Sequence, residues 1–284
     1  MAKLPLNLTK GLKALKDASA TADEAASIVL AGDKALVERA REEFSVGGTI
    51  PAIATTEAFN GPRGFAAGGG EVLVVLAAAE QEAQAEALLG RVTAKKSVIL
   101  AVDEGEGTLP KATYAASGVV RLAFSDGPAG WDRLFSLCAE AAGDKGTALG
   151  RRYPVVRRAA ARRLISRTAM QNVLIAVVFF IPGSDMPAMT LNQVKMVLNL
   201  AGMYGEPIDK ERAVELAAVL GVGFAFRGLG RGLAKWMPGL AIIMRIITAY
   251  AATIALGLGA IAYFEKGAPA STSKVIALAG SMKR

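Results

Sequence analysis

Residues 240–264 run for 25 positions with one charged side chain, Arg245. A helix needs about 20 apolar residues to cross the hydrocarbon of a bilayer, so this segment alone has the length to span unaided. A chain carrying such a segment must either place it in lipid or cover it with other apolar faces. The surrounding sequence favours lipid. Residues 169–181 include the run Val173-Leu174-Ile175-Ala176-Val177-Val178-Phe179-Phe180-Ile181 and stop at Pro182-Gly183. Residues 189–203 read as a second apolar helix with a thin polar stripe of Asn192, Lys195 and Asn199 beside Gln193, ending near Gly205 and Pro207. A third helix is expected over 210–226, after Asp209 as N-cap, running into the turn from Gly228 to Gly232. The expectation is an all-α apolar module over 169–266, with a C-terminal tail at 267–284.

Charge is equally local. Of a net charge of +8, seven units come from Arg151, Arg152, Arg157, Arg158, Arg162, Arg163 and Arg167, a stretch without a single acid. A basic segment directly before an apolar helix is what the positive-inside rule expects of a cytoplasmic flank. We therefore assign these arginines to anionic lipid headgroups, with a protein partner or a solvated surface as the alternative. Nucleic acid is disfavoured, because no aromatic stacking residues or recognised nucleic-acid module accompany them. Residues 151–168 are read as a basic linker or helix start.

Residues 1–150 read differently. Short runs apolar on both faces, at 27–31, 72–76, 97–102 and 119–123, are separated or followed by helical stretches at 34–44, 78–91 and 131–142. That alternation implies a small, mostly parallel sheet covered on both sides, an α/β domain. The glycine-rich stretch 47–70 is expected to be loop, with at most a weak strand. Ahead of it, Leu4, Leu8, Leu12 and Leu15 recur at helical spacing among Lys3, Lys10, Lys13 and Lys16, a short basic amphipathic helix. This start has no apolar core before a small-residue cleavage site, so the domain is expected to face the cytosol.

Catalytic chemistry finds little support. The chain has no histidine, which removes the commonest general base and His-ligated metals, and its one cysteine, Cys138, excludes an internal disulfide. A strand, a glycine and a helix follow one another around Gly32, but the fifth position after it is Val37, followed by Glu38 and Arg39. A phosphate-binding loop needs Gly-Lys-Ser/Thr there. Gly68-Gly69-Gly70 precede a strand, so they cannot place a helix N-terminus on a pyrophosphate. Asp103, Glu104 and Glu106 form an acidic loop without metal-binding spacing. No cofactor or metal is expected. Asp185 is read as an N-cap or as an acid at membrane depth, and Asp185, Gln193 and Arg245 are the polar positions of interest in the apolar module.

The string over 181–209, with Pro182-Gly183-Ser184-Asp185, Gln193, Tyr204-Gly205 and the turn at Gly228 to Gly232, resembles domain of unknown function 697 across about residues 150–265. That family often lies C-terminal to Era-like GTPase domains and includes YcjF-like proteins predicted to lie in the bacterial inner membrane. The resemblance implies a bacterial inner-membrane module. It also implies that the N-terminal domain is a degenerate G-domain-like region, with Ala101-Val102-Asp103-Glu104 where the base-reading Asn-Lys-x-Asp would stand. The resulting expectation is a non-catalytic adaptor or scaffold with a pseudo-GTPase domain. The alternatives are a soluble helical oligomer or partner-binding protein in the cytoplasm, and a divergent nucleotide-binding protein.

Overall fold

A computed structural model of the chain describes residues 8–54, 71–93, 97–178, 186–206 and 241–266. It divides into two compact units, one of residues 23–160 and the other of residues 1–22 with 161–284. The sequence reading cut the chain near residue 150 and left its first helix with the α/β part. Here α1 (Leu8–Asp23) groups with the C-terminal helices. Among its described side chains the buried ones, Ala14, Ala18 and Ala22, recur every four residues and are small, which suits close helix packing.

Unit 23–160 is the expected α/β domain. In order it holds β1 (Ser27–Gly32), α2 (Lys34–Ser45), β2 (Ala52–Ile53), β3 (Glu71–Ala78), α3 (Glu82–Leu89), β4 (Val98–Asp103), β5 (Lys111–Tyr114), β6 (Val119–Phe124), α4 (Pro128–Ala141) and α5 (Gly146–Arg152). The sheet order is β2-β1-β3-β4-β6-β5, and every pairing is parallel except β5 with β6. Counting the parallel strands alone gives 2-1-3-4-5, a doubly wound order whose switch point lies between β1 and β3.

Both faces of the strands are apolar because both are covered. On one face Val29, Leu73, Val75, Leu100 and Val102 pack with Ala85 and Leu89 of α3. On the other, α2 lies on β1 and β3 and α4 on β4 and β6, with Phe44 and Phe135 in edge contact at 4.9 Å. Each such side chain removed from water contributes roughly 1.5–3 kcal/mol. Burial also pushes the Cys138 thiol up and away from the reactive thiolate. Tyr153, at the end of α5, is buried among these rings, and its hydroxyl accepts from the Ile28 amide at 3.2 Å. Strand β5 has no counterpart in the sequence reading, because its residues are mostly exposed and make no apolar run.

Beyond Tyr153 one helix, α6 (Pro154–Val178), carries both the basic segment and the first apolar run, and the boundary between the units falls inside it. Proline at the first position needs no amide partner, and Arg, Ala and Leu are good helix formers, so composition changes along α6 while the backbone does not. Helices α7 (Met186–Met203) and α8 (Ala241–Glu265) complete the described part of the second unit. Helix α7 stops at Gly205, whose φ of +80° allows the Gly205 amide to reach the Gly202 carbonyl and the Glu206 amide to reach that of Ala201. This is a Schellman closure. The expected helix at 210–226, the glycine turn at 228–232 and the tail at 267–284 lie outside the described residues.

Candidate functional site

The carboxyl edge of the sheet is where a doubly wound domain takes its ligands, so its switch point comes first. At the end of β1, Gly32 turns with φ +113° directly against β3, and a Cβ there would come within 1.9 Å of the Leu76 carbonyl oxygen. The Asp33 amide donates to that same oxygen at 2.8 Å. The Asp33 carboxylate then accepts from the amides of Ala35 and Leu36 at 2.9 and 3.0 Å, the N-terminus of α2. These bonds, led by that from Leu36, hold the carboxyl below its usual range. The helix end that would receive a phosphate in a nucleotide-binding domain thus holds the chain's own anion.

Farther along the edge, Arg121 of β6 lies between two acids. It donates through Nε to Glu82, and through Nη2 to Glu82 at 2.9 Å and to Glu104 at 3.0 Å. The guanidinium lowers the Glu82 carboxyl, and Glu82 in turn raises Arg121. Asp103 accepts from the Gly105 amide at 3.0 Å within its own loop. Among the described residues no group of three His, Cys, Asp or Glu side chains could hold a metal ion.

The seven arginines separate into distinct environments. Arg151 meets Asp23 at 2.7 Å, Arg152 donates to the Ala26 carbonyl at 3.3 Å and Arg157 to that of Gly150 at 3.0 Å. These three fasten the α/β unit. Arg158, Arg162, Arg163 and Arg167 are exposed along α6. From Arg162 onward the exposed positions share one side, which carries Arg162, Arg163, Ser166 and Arg167 and then Met170, Gln171, Leu174, Val177 and Val178. One helix face therefore passes from cationic to largely apolar, with Gln171 the one exposed polar residue beyond Arg167 among those described.

At the centre of the second unit is a node of amides and hydroxyls. The Thr253 hydroxyl of α8 accepts from Asn172 Nδ2 of α6 at 3.0 Å and from Gln193 Nε2 of α7 at 3.0 Å, and donates to the Ala249 carbonyl at 2.7 Å. Asn192 Nδ2 completes it by donating to Asn172 Oδ1 at 3.2 Å. A hydroxyl has one proton and two lone pairs, so Thr253 is saturated. Of the three polar positions singled out from the sequence, Gln193 lies in this node, Arg245 is half-buried in the second turn of α8, and Asp185 lies outside the described residues. Asn172 and Thr253 were missed. None of Asn172, Gln193 and Thr253 titrates near neutral pH, so the node can position helices or bind but cannot move protons as an acid or base.

The outer surface of α8 is largely apolar. Residues 242–265 form the one described helix long and apolar enough to cross a membrane, and most of its residues are not buried. Ile242, Ile243, Ile247, Tyr250 and Leu258 stand exposed on it.

These features define a doubly wound α/β unit joined through a shared helix to an apolar helical module. The model of a family described as Domain of unknown function (DUF697) matches residues 142–278. The match takes in α5 through α8, so it begins within the α/β unit, at the segment that carries Tyr153 and its bond to β1. No curated protein and no solved structure matches this chain.

Proposed function

We propose that the chain is a non-catalytic, membrane-associated adaptor or scaffold, whose apolar helices attach its α/β unit to the cytosolic face of the inner membrane. The observation that carries this reading is the outward apolar face of α8 together with that of α6 beyond Arg167. Contiguous exposed apolar surface on this scale is unusual for a soluble monomer and marks contact with lipid or protein. The α/β unit serves as a binding platform. Its pseudo-GTPase character is supported by the missing phosphate loop and by Asp33 at the N-terminus of α2, while the 2-1-3-4-5 order supports a doubly wound platform in general.

The test is fractionation of cells expressing the full chain. Sedimentation with membranes and release by detergent is the expected result. Recovery in the soluble fraction without detergent overturns the reading, and a soluble higher-order species in light scattering would favour the helical oligomer instead. Titration of the purified chain with GTP and Mg²⁺ is expected to show no micromolar binding.

A further inference from the structure

The sheet of the α/β unit ends in two edge strands, β2 and β5. Beside β2, residues 55–70 lie outside the described residues, whereas β5 is described together with the loop that enters it and the turn that leaves it. The pairing of β5 with β6 fixes where its backbone points. The Ala115 amide donates to the Val119 carbonyl at 3.1 Å, and the Gly118 amide, at φ +82°, donates to the Ala115 carbonyl at 3.0 Å to close the turn. Bonded positions alternate along an antiparallel ladder. Thr113 and Lys111 therefore face Arg121 and Ala123 through their backbone groups, while the amides and carbonyls of Ala112 and Tyr114 point away from the sheet. No described residue pairs with them.

Such a row of free donors and acceptors is a template for another strand. Pro110 and Lys111 blunt its start, so it suits a short segment rather than a long one. The rest is open: Tyr114 is 58% exposed, and Leu109, two residues before the strand, is 84% exposed. Apart from these two, the large exposed apolar side chains described in the unit are Val46, Ile50 and Ile53, on or before β2. Exposed apolar surface in this unit thus gathers around its sheet edges.

Charge selects the occupant of β5. Asp103 at the end of β4 and Glu106 in the following loop lie toward the start of the strand, and at its other end the Tyr114 hydroxyl donates to Glu140 at 3.1 Å. Lys111 is the one base on the strand itself, and neighbouring Arg121 is already shared by Glu82 and Glu104. A second copy would bring the same acids against these, and like charges brought together across an interface are costly. Resting on the binding-platform reading above, we propose that β5 takes a short basic segment of a partner protein as a seventh strand. Backbone bonds to Ala112 and Tyr114 set its register, an apolar side chain of the segment covers the Tyr114 ring, and lysines or arginines meet Glu106 and Glu140.

The test adds the peptide acetyl-Lys-Val-Lys-Val-Lys-Val-amide to the purified full chain in mild detergent and follows hydrogen exchange across residues 109–116. With peptide at about ten times its dissociation constant, the amides of Ala112 and Tyr114 should exchange about tenfold more slowly. The same peptide with Glu in place of Lys, or with proline in place of the central valine, should protect neither. Absence of protection by the first peptide overturns the proposal. Equal protection by the proline peptide also overturns it, because attraction of charge alone would then account for the effect.

Ala112→Pro removes one outward amide and no bond of the β5–β6 ladder, a place where an edge strand tolerates proline. It should weaken binding of the basic peptide about tenfold or more while the chain stays folded. The peptide series on the parent decides the matter even where this variant is unstable. In light scattering, a dimer of the parent that Ala112→Pro dissociates would place a second copy on β5 and overturn the basic partner. Sedimentation with membranes is read separately: a chain that sediments with membranes yet shows no protection keeps the membrane reading and loses this one, and a soluble chain that shows protection does the reverse.

Discussion

The Thr253 hydroxyl of α8 accepts the Asn172 side-chain amide of α6 at 3.0 Å across 81 residues of sequence, inside a largely apolar bundle. The same oxygen takes the Gln193 amide of α7, so one atom joins three helices. Thr253→Val keeps the shape of the side chain but removes the acceptor that the Asn172 and Gln193 amides share. The expected loss is about 2 kcal/mol, since hydrogen bonds between helices in apolar surroundings are each worth about 1 kcal/mol. Thr253→Ser retains the bonds and should lose less. Thermal unfolding of the purified chain in mild detergent checks the order, and a valine variant as stable as the parent would show that the node contributes nothing.

Gly257 sets how closely α6 and α8 approach. A Cβ there would meet Ile165 at 2.5 Å from Cγ1, 2.7 Å from Cδ1 and 2.8 Å from Cγ2, so no single rotation of the isoleucine clears it. Gly257→Ala is expected to cost about 1–3 kcal/mol through overpacking. Ile165→Ala should recover part of that loss in the double variant, because it vacates the volume the new methyl needs. Additive losses in the two-residue cycle would show that the helices move apart freely.

Much of this architecture was legible in the sequence, and the exceptions have physical causes. The central strands announced themselves through residues such as Ile28, Val74, Ile99 and Leu100, because a parallel sheet is buried on both faces and leaves continuous apolar runs. Strand β5 left no such trace, because Tyr114 is exposed and the strand only borders β6. The arginine run was legible as a linker or a helix start, and because Arg and Ala favour helix, α6 runs through it from Pro154. Gln193 was visible as a polar residue on an apolar helix. Thr253 was not, since a threonine in such a helix usually bonds its own backbone, as its 2.7 Å contact with the Ala249 carbonyl shows. Its bonds to Asn172 and Gln193 depend on helix register, which the sequence does not display.

Gly32 meets the Leu76 carbonyl with no room for a methyl group, and its φ of +113° disfavours any L side chain. Gly32→Ala should therefore cost about 3 kcal/mol or more, as backbone strain and a clash with β3 act together. Asp33→Ala, one residue on, removes the cap on Ala35 and Leu36 and should cost about 1 kcal/mol. Denaturant unfolding followed by the fluorescence of Trp131, buried in this unit, separates the two effects. Near-equal losses would contradict the backbone origin of the first.

The Arg121, Glu82 and Glu104 cluster makes the stability of the α/β unit depend on pH in a defined direction. The Glu82 carboxyl is held below its ordinary 4.5 by its bonds to Arg121. In acid the unfolded chain takes up this proton first, so the contribution is complete above about pH 4.5 and declines as the pH falls through the lowered folded value. Arg121 is raised by its bonds to Glu82 and Glu104, so its contribution is lost only in strong alkali and does not enter the acid limb. Both side chains are about a third exposed, so the whole interaction is expected to be worth about 1 kcal/mol at neutral pH and less in high salt. Glu82→Gln should lower stability at pH 7 and flatten its dependence between pH 5 and 3, the remaining slope coming chiefly from Asp33, which is shifted the same way. Measured as denaturant midpoints of the parent and the variant, the two curves should converge in acid. Parallel curves over that range would mean that the ion pair seen in the structure contributes nothing to the fold.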